Sequence, residues 1–177
     1  MSGKLKRYNE KRDFNKTDEP KGKVSKTKKQ LKYVIQHHLA SREHFDLRLE
    51  WKGTLKSWAI PKGPSFNPED KRLAVEVEDH PLSYRNFEGT IPKGQYGGGT
   101  VMIWDEGIWN PTEIKKGVIK FTLEGSRLKG GWALIKMKDN NWLLIKERDA
   151  FSEKEAAIDK FVTSIRSGRT MEEIARD

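Results

Sequence analysis

The segment from Gln36 to Glu50 carries most of the side chains that can do chemistry. Three of the four histidines of the chain lie there. From His44 onward, polar and apolar residues alternate, which is typical of a strand with two different faces. His44, Asp46 and Arg48 share the polar face. Imidazole and carboxylate together suit a divalent transition metal, and a neighbouring guanidinium suits a phosphate. The segment therefore predicts a metal site beside a phosphate-binding group.

The predicted metal ligands are His38, His44 and Asp46. Their spacing, H-x5-H-x-D, places His44 and Asp46 on one strand face and brings His38 from the end of the preceding strand. Two imidazoles and one carboxylate leave coordination positions open for water or a substrate oxygen, as catalytic metal sites require. The alternative is a solvated polar strand face. His37 is expected to point the opposite way and to be structural or exposed.

Arg48 continues the face that carries the predicted ligands. A guanidinium in this position can hold a metal-bound phosphate with two hydrogen bonds. The alternative is a structural salt bridge to Glu50, Glu76 or Glu78. Both interpretations stay open at the level of the residues.

The fourth histidine lies in a predicted polar turn, residues 78–84. A protonated His80 can donate to a phosphate oxygen or protonate a leaving group. Tyr84 can add a neutral donor. A single histidine in a loop more often has no function, and spacing alone does not bring His80 to His44.

Two further features are weaker signals of a ligand. Glycines crowd residues 94–99, where the backbone can approach a ligand closely, but a hairpin turn is the commoner interpretation. No Gly-Lys-Ser/Thr follows, so the pattern is not that of a P-loop. The six tryptophans can stack on nucleobases, but their positions in or beside predicted strands favour core packing.

The composition indicates a basic segment ahead of a nearly neutral domain. The chain has 177 residues, a net charge of +9 and no cysteine, which excludes disulfides and zinc–thiolate sites. Residues 1–30 hold eleven Lys or Arg against four Asp or Glu, which leaves +2 for the rest. We interpret residues 1–30 as a basic, partly disordered arm and residues 31–177 as one domain. Such an arm favours binding to a polyanion, although a solvated tail has the same composition.

The sequence contains no apolar run of membrane-spanning length and no visible signal peptide. We therefore expect a cytoplasmic protein without a membrane partner.

Short alternating runs separated by turn signals predict about eight strands. They lie at 31–36, 44–51, 54–60, 72–78, 100–104, 118–124, 132–137 and 142–147. A capping box at Ser152 and Glu155 predicts a C-terminal helix that ends at Gly168, and Thr170 with Glu173 predicts a short second helix. The fold class that follows is mainly β: a compact single-domain β-barrel, or a sandwich, closed by a C-terminal helix.

Several motifs in this chain follow the order found in the 3'-phosphoesterase domain of bacterial DNA ligase D, and the chain resembles that family. They are VIQHH at 34–38, HFDLRLE at 44–50, GTLKSWAIPKGPS at 53–65, VEDHPLSY at 77–84, FEGTIPKGQYG at 87–97 and WLLIK at 142–146. The resemblance extends from the Lys11-Arg12-Asp13-Phe14 segment to about Asp149. No ligase or polymerase domain accompanies these motifs, so a stand-alone member is expected.

The resemblance implies a manganese-dependent enzyme that removes a 3'-terminal ribonucleoside and then the remaining 3'-phosphate. The implied partners are a DNA primer-template with a 3'-ribonucleotide or 3'-phosphate end, and a DNA ligase or polymerase of end joining. It assigns the metal to His38, His44 and Asp46, phosphate contacts to Arg48, His80 and Tyr84, and support of the site to Arg72, Glu78 and Lys62. In the arm, it assigns substrate binding for ribonucleoside removal to Arg12, Asp13 and Glu19.

Two other classes of protein compete with this interpretation. A non-haem iron oxygenase is one, because His44-x-Asp46 with a distant His80 imitates a facial triad. His80 follows Asp46 by only 34 residues, before most of the strands, which is early for a jelly-roll oxygenase. A non-catalytic nucleic-acid-binding repair module is the other; it would bind DNA with a steep salt dependence and without turnover.

Overall fold

The structure is a computed structural model that describes residues 3–25 and 30–177. The described strands are β1 (Lys32–Leu39), β2 (Glu43–Trp51), β3 (Thr54–Ile60), β4 (Arg72–Pro81), β5 (Gly89–Ile91), β6 (Gly99–Lys115), β7 (Val118–Gly125), β8 (Lys129–Lys136) and β9 (Asn141–Lys146). The described α-helices are α1 (Lys6–Glu10) and α2 (Met171–Ala175), and 3₁₀ turns lie at Gly3–Leu5 and Leu82–Asn86. Neither α-helix is long and apolar enough to cross a bilayer.

Eight of the strands close into an antiparallel barrel. Their hydrogen-bonded order is β1-β2-β3-β4-β9-β8-β7-β6, and β6 pairs back with β1. The 17 residues of β6 allow closure, because its first half pairs with β1 and its second half with β7. The ninth strand, β5, adds to β6. The predicted β-barrel fold is confirmed.

Alternation along β2 separates the core from the opposite face of the strand. Phe45, Leu47 and Leu49 point into the barrel and belong to its main hydrophobic cluster. Trp58, Trp104, Trp109, Trp132 and Trp142 are buried in the same cluster, and Trp51 packs against it. The expectation that the tryptophans are core residues is therefore confirmed.

The turn predicted at residues 78–84 is wrong in its first half. β4 continues to Pro81 because His80 pairs with Leu55 of β3, and a 3₁₀ turn follows only at Leu82–Asn86. Strand pairing overrides the local turn signal, which came from a proline at the end of the strand.

The longer C-terminal helix predicted from Ser152 is wrong. Residues 152–167 form no helix, and the carbonyl of Ala156 instead accepts a hydrogen bond from the Phe66 amide. Ala157 has a φ of 58°, a left-handed conformation that is incompatible with a continuous α-helix. Ile158 is nonetheless buried in the barrel core. Ala157, Ile158 and Phe161 therefore pack on the core from an irregular segment.

The short second helix predicted from Thr170 and Glu173 is confirmed as α2. The Thr170 side chain accepts a hydrogen bond from the Glu173 amide, and the Glu173 carboxylate accepts one from the Thr170 amide. Ile174 is fully buried against the barrel core. α2 is thus the C-terminal helix of the fold.

Residues 3–25 of the predicted arm lie against the outside of the barrel. Leu5 and Tyr8 are fully buried and form a second apolar cluster that includes Leu55 and Tyr84. Phe14 packs against this cluster. Residues 1, 2 and 26–29 lie outside the described residues, and the partial disorder and the domain boundary at residue 30 stay predictions. The described part of the arm contributes one wall of the site.

Candidate active site

An open cleft of about 320 Å³ lies between the outer face of β1 and β2, the end of β4 and the N-terminal segment. It is lined by eight of the predicted site residues, namely Arg12, His38, His44, Asp46, Arg48, Glu78, His80 and Tyr84. The residues come from positions that are distant in sequence. Barrel closure and packing of the arm therefore create the site together.

The predicted metal ligands meet at one end of the cleft. The register of β1 on β2 places His38 opposite His44, so both imidazoles share a face with Asp46. His44 Nε2 lies 3.2 Å and His38 Nδ1 3.7 Å from Asp46 Oδ2. The ligand atoms of all three residues lie within 4.8 Å of one another, the one such group found in residues 3–25 and 30–177.

Backbone carbonyls orient both imidazoles. His38 Nε2 donates to the carbonyl oxygen of Gly97 at 2.7 Å, and His44 Nδ1 donates to that of Arg42 at 2.9 Å. The second nitrogen of each ring faces Asp46, and it would offer its lone pair to a cation bound between the three residues. Metal-binding histidines are usually held in this way, since the outer hydrogen bond sets the tautomer. The donor set fits a divalent cation.

Asp46 is ionised despite its burial. Burial alone raises the pKa of its carboxyl, but Arg48 and the hydrogen bonds from His38 and His44 outweigh it and hold that pKa well below the usual range. Arg48 Nη2 lies 3.4 Å from Asp46 Oδ2. Arg48 thus pairs with a residue of its own strand face rather than with the glutamates considered above.

Gln36 holds the guanidinium of Arg48 in the cleft. Arg48 Nε donates to Gln36 Oε1 at 2.7 Å, and the Gln36 amide donates to the carbonyl oxygens of Tyr84 and Phe87. Arg48 Nη1 is buried and has no hydrogen-bond partner among the described residues. An unpaired buried donor costs ~1–3 kcal/mol. Because Arg48 lines the cleft, this donor is a candidate to bind a ligand there.

His80 is neutral in this arrangement. Burial, followed by the charges of Arg48 and Arg12, holds the pKa of His80 well below its usual value. Its Nδ1 donates to the carbonyl oxygen of Glu78 at 2.9 Å, and its Nε2 accepts from Arg12 Nη2 at 3.3 Å. These contacts leave no proton on Nε2 and favour a neutral His80, whereas the expectation from the sequence was a protonated one.

Glu19 connects the N-terminal segment to the cleft. Arg12 Nε and the Tyr84 hydroxyl both donate to Glu19 Oε2, at 2.9 and 2.6 Å. Thr17 Oγ1 donates to the other carboxylate oxygen. Burial, followed by the charge of Glu19, raises the pKa of Tyr84 well above its usual value. Tyr84 is neutral, but its hydroxyl proton is donated to Glu19 directly behind the cleft, so its expected contact to a phosphate stays a prediction.

Four residues proposed from the resemblance do not line the cleft: Glu19 lies behind it, and Asp13, Lys62 and Arg72 lie elsewhere. Asp13 is exposed, and its carboxylate accepts a hydrogen bond from the Asn15 amide. Lys62 and Arg72 line a separate depression of about 340 Å³ at the barrel opening. The motifs assigned Asp13, Lys62 and Arg72 to the site, whereas in the structure these residues do not line the cleft that holds the predicted metal ligands.

A bulge in β4 explains why Glu78 lines the cleft although Arg72 does not. At the start of the strand, alternation gives Arg72 the same face as Ala74, which is fully buried in the core. The pairing with β3 then shifts by one residue between Leu55 and Ser57. A bulge breaks the alternation, and Glu78 consequently lies in the cleft wall.

Sequence reasoning missed four contributors to the site: Lys11, Gln36, Tyr96 and Gly97. Gln36 could have been found, because it lies two residues before His38 and so shares its strand face. Gly97 belongs to the glycine-rich loop, but its carbonyl contact to His38 depends on tertiary structure. Lys11 Nζ donates to Glu78 at 3.0 Å and to the Tyr96 hydroxyl at 3.2 Å.

The sequence model of the DNA Ligase D 3'-phosphoesterase domain matches residues 36–136, more than half of the chain. This chain belongs to the DNA ligase D 3'-phosphoesterase domain family. It is 49% identical over 156 residues to the multifunctional non-homologous end joining protein LigD of Pseudomonas aeruginosa, an alignment that covers 82% of this chain and 19% of that protein.

Two further relatives are also multifunctional non-homologous end joining proteins named LigD. Identity is 43% over 161 residues with the LigD protein of Mycolicibacterium smegmatis, covering 84% of this chain and 21% of the relative. Identity is 41% over 148 residues with the LigD protein of Mycobacterium tuberculosis, covering 81% of this chain and 20% of the relative. The chain thus spans about a fifth of the length of these relatives.

The phosphoesterase family membership and the ligand geometry both oppose the oxygenase alternative. His80 does not belong to the group of potential ligands; the third member of that group is His38. Both nitrogens of His80 already have partners, since Nε2 accepts from Arg12 and Nδ1 donates to the Glu78 carbonyl.

Proposed function

We propose that the protein is a manganese-dependent phosphoesterase that processes 3' ends of DNA for repair by end joining. It removes a 3'-terminal ribonucleoside from a primer-template and then the 3'-phosphate, which leaves a 3'-hydroxyl. A DNA ligase or polymerase of end joining would use that end. Family membership and the names of the relatives support this proposal.

The single observation that carries the proposal is the unpaired guanidinium nitrogen of Arg48. Arg48 Nη1 is buried without a partner in the described residues, and Arg48 lines the cleft that also holds His38, His44 and Asp46. A phosphate oxygen is the natural acceptor for such a donor, because guanidinium–phosphate hydrogen bonds are charge-assisted and directional.

A divalent cation fits the ligand atoms of His38, His44 and Asp46. When bound there, it would supply Lewis-acid charge neutralisation and a water of lowered pKa. The mixed nitrogen and oxygen donors suit manganese among other transition metals, and the family resemblance favours manganese.

The residues of the chain supply charge and orientation around the phosphate. Phosphoryl transfer depends more on charge neutralisation and alignment than on a covalent partner. Arg48 donates to the phosphate oxygens, and the neutral ring of Tyr84 packs with its centroid 4.9 Å from the guanidinium carbon. Arg12, which donates to His80 Nε2, adds a second positive charge to the wall of the cleft.

The proposal is tested with two labelled primer-templates, one ending in a single ribonucleotide and one in a 3'-phosphate. Each is incubated with and without manganese, and the products are separated on a gel. We expect the terminal ribonucleoside to be lost first and the phosphate next, only with manganese. Binding of both substrates without any product would contradict the proposal and support the non-catalytic repair module.

A further inference from the structure

Tyr96 is an exposed aromatic residue in the wall of the cleft. Two tyrosines line the cleft, but Tyr84 is 2% exposed and Tyr96 is 46% exposed. Tyr84 is enclosed by the rings of Tyr8, His80 and Phe87. Of the two, only the ring of Tyr96 is therefore accessible to a ligand that enters the cleft.

The glycine-rich loop fixes Tyr96 beside the metal group. Two consecutive hydrogen-bonded turns form the loop, from the Gln95 amide to the Pro92 carbonyl and from the Gly98 amide to the Gln95 carbonyl. Tyr96 lies at the tip of the second turn, and Gly97 follows with a φ of 76°. The carbonyl of Gly97 is the acceptor that orients His38. The residue that follows Tyr96 in the chain therefore contacts a predicted metal ligand.

Cations from the N-terminal segment lie next to the ring. Lys11 Nζ is 4.7 Å from the centroid of the Tyr96 ring, and the guanidinium carbon of Arg12 is 5.4 Å from it. Lys11 also donates to the Tyr96 hydroxyl. These contacts hold the side chain at the cleft and place positive charge beside it, as suits a nucleotide.

We propose that Tyr96 stacks on the base of the 3'-terminal nucleotide whose phosphate is bound by Arg48. This inference rests on the proposed function. A phosphate at Arg48 places the attached nucleoside at the mouth of the cleft, where Tyr96 offers its exposed ring. Stacking on an aromatic ring accepts every base, because each base has a π-face. Tyr96 would therefore bind DNA ends without regard to sequence.

The test compares two oligonucleotides that end in a 3'-phosphate, one with a normal terminal base and one with an abasic terminal nucleoside. The wild-type protein should bind the abasic end about tenfold more weakly, the order that one base–aromatic stack supplies. Tyr96→Ala should bind both ends equally weakly. Tyr96→Phe should keep the difference, because it retains the ring. Binding is measured by fluorescence anisotropy, and KM and kcat for phosphate release are measured in parallel.

Phe151→Ala is the matched control, since Phe151 is 48% exposed and does not line the cleft. This variant should keep the full difference between the two ends. If Tyr96→Ala still binds the abasic end tenfold more weakly than the normal end, the stacking proposal is wrong. If Tyr96→Phe loses that difference in affinity, the proposal is also wrong, because the effect would then depend on the hydroxyl. Absence of phosphate release by the wild type would overturn the proposed function instead, whatever the base dependence of binding.

Discussion

Arg12 of the N-terminal segment and His80 of β4 meet in the cleft, with Arg12 Nη2 3.3 Å from His80 Nε2. Their positions differ by 68 residues. The guanidinium also lies 3.9 Å from the centroid of the Tyr8 ring. The basic segment is therefore part of the site and contributes more than a general positive charge.

Arg12→Ala should raise the pKa of His80. Burial is the main cause of the low pKa of His80, and the positive charges of Arg48 and Arg12 add to it. Removing a nearby positive charge favours protonation of an imidazole, so the direction of the change is upward. An NMR titration of the imidazole signals measures it. Arg85→Ala is the control, because Arg85 pairs with Glu106 instead; an equal shift in both variants would contradict the assigned contact.

Arg48→Lys should reduce phosphate release without unfolding the protein. An ammonium group cannot bond Gln36 and a phosphate in the planar arrangement of a guanidinium. Hydrogen bonds to charged groups contribute about 1.5–3 kcal/mol, so kcat/KM should fall roughly 10- to 100-fold. Steady-state kinetics and thermal unfolding check the two parts. Arg166→Lys is the control, because Arg166 is a surface partner of Glu106, and its kinetics should be unchanged. If Arg48→Lys keeps the kcat/KM of the wild type, the proposed role of the guanidinium is wrong.

Tyr33→Phe should destabilise the barrel and leave activity unchanged. The Tyr33 hydroxyl donates to Asp105 Oδ2 at 2.5 Å, and the same carboxylate accepts from the amides of Arg127 and Leu128. Loss of one partner of a buried carboxylate costs about 1–3 kcal/mol. Urea unfolding measures the change in the free energy of unfolding. Val162→Ala is the control, because Val162 is exposed, and its free energy of unfolding should stay close to that of the wild type. If both variants have the same free energy of unfolding, the Tyr33 hydrogen bond adds nothing to stability.

The sequence was sufficient to predict those parts of the site that depend on a single strand. Alternation along β2 placed His44, Asp46 and Arg48 on one face, and the structure has them there. Alternation does not hold along the whole of β4, because a bulge between Val77 and His80 puts Arg72 and Glu78 on different faces despite their even spacing. No local pattern marks that bulge, since it arises from pairing with β3.

Contacts between distant segments were beyond local rules. The capping box at Ser152 is a valid helix signal, yet the segment bonds to Phe66 and becomes irregular. The composition of residues 1–30 indicated a polar arm and gave no sign that Leu5 and Tyr8 are buried on the barrel. In both cases tertiary packing determines the structure.

The most direct test of the account measures manganese-dependent phosphate release by the wild type and His44→Ala after both are stripped of metal. The substrate is an oligonucleotide with a 3'-phosphate, and circular dichroism verifies the fold of the variant. We expect saturable activation of the wild type by manganese and no activation of His44→Ala, because the variant lacks one of three ligands. Full activity of the wild type in a chelator, or near-normal activity of His44→Ala, would contradict the assignment of the metal centre.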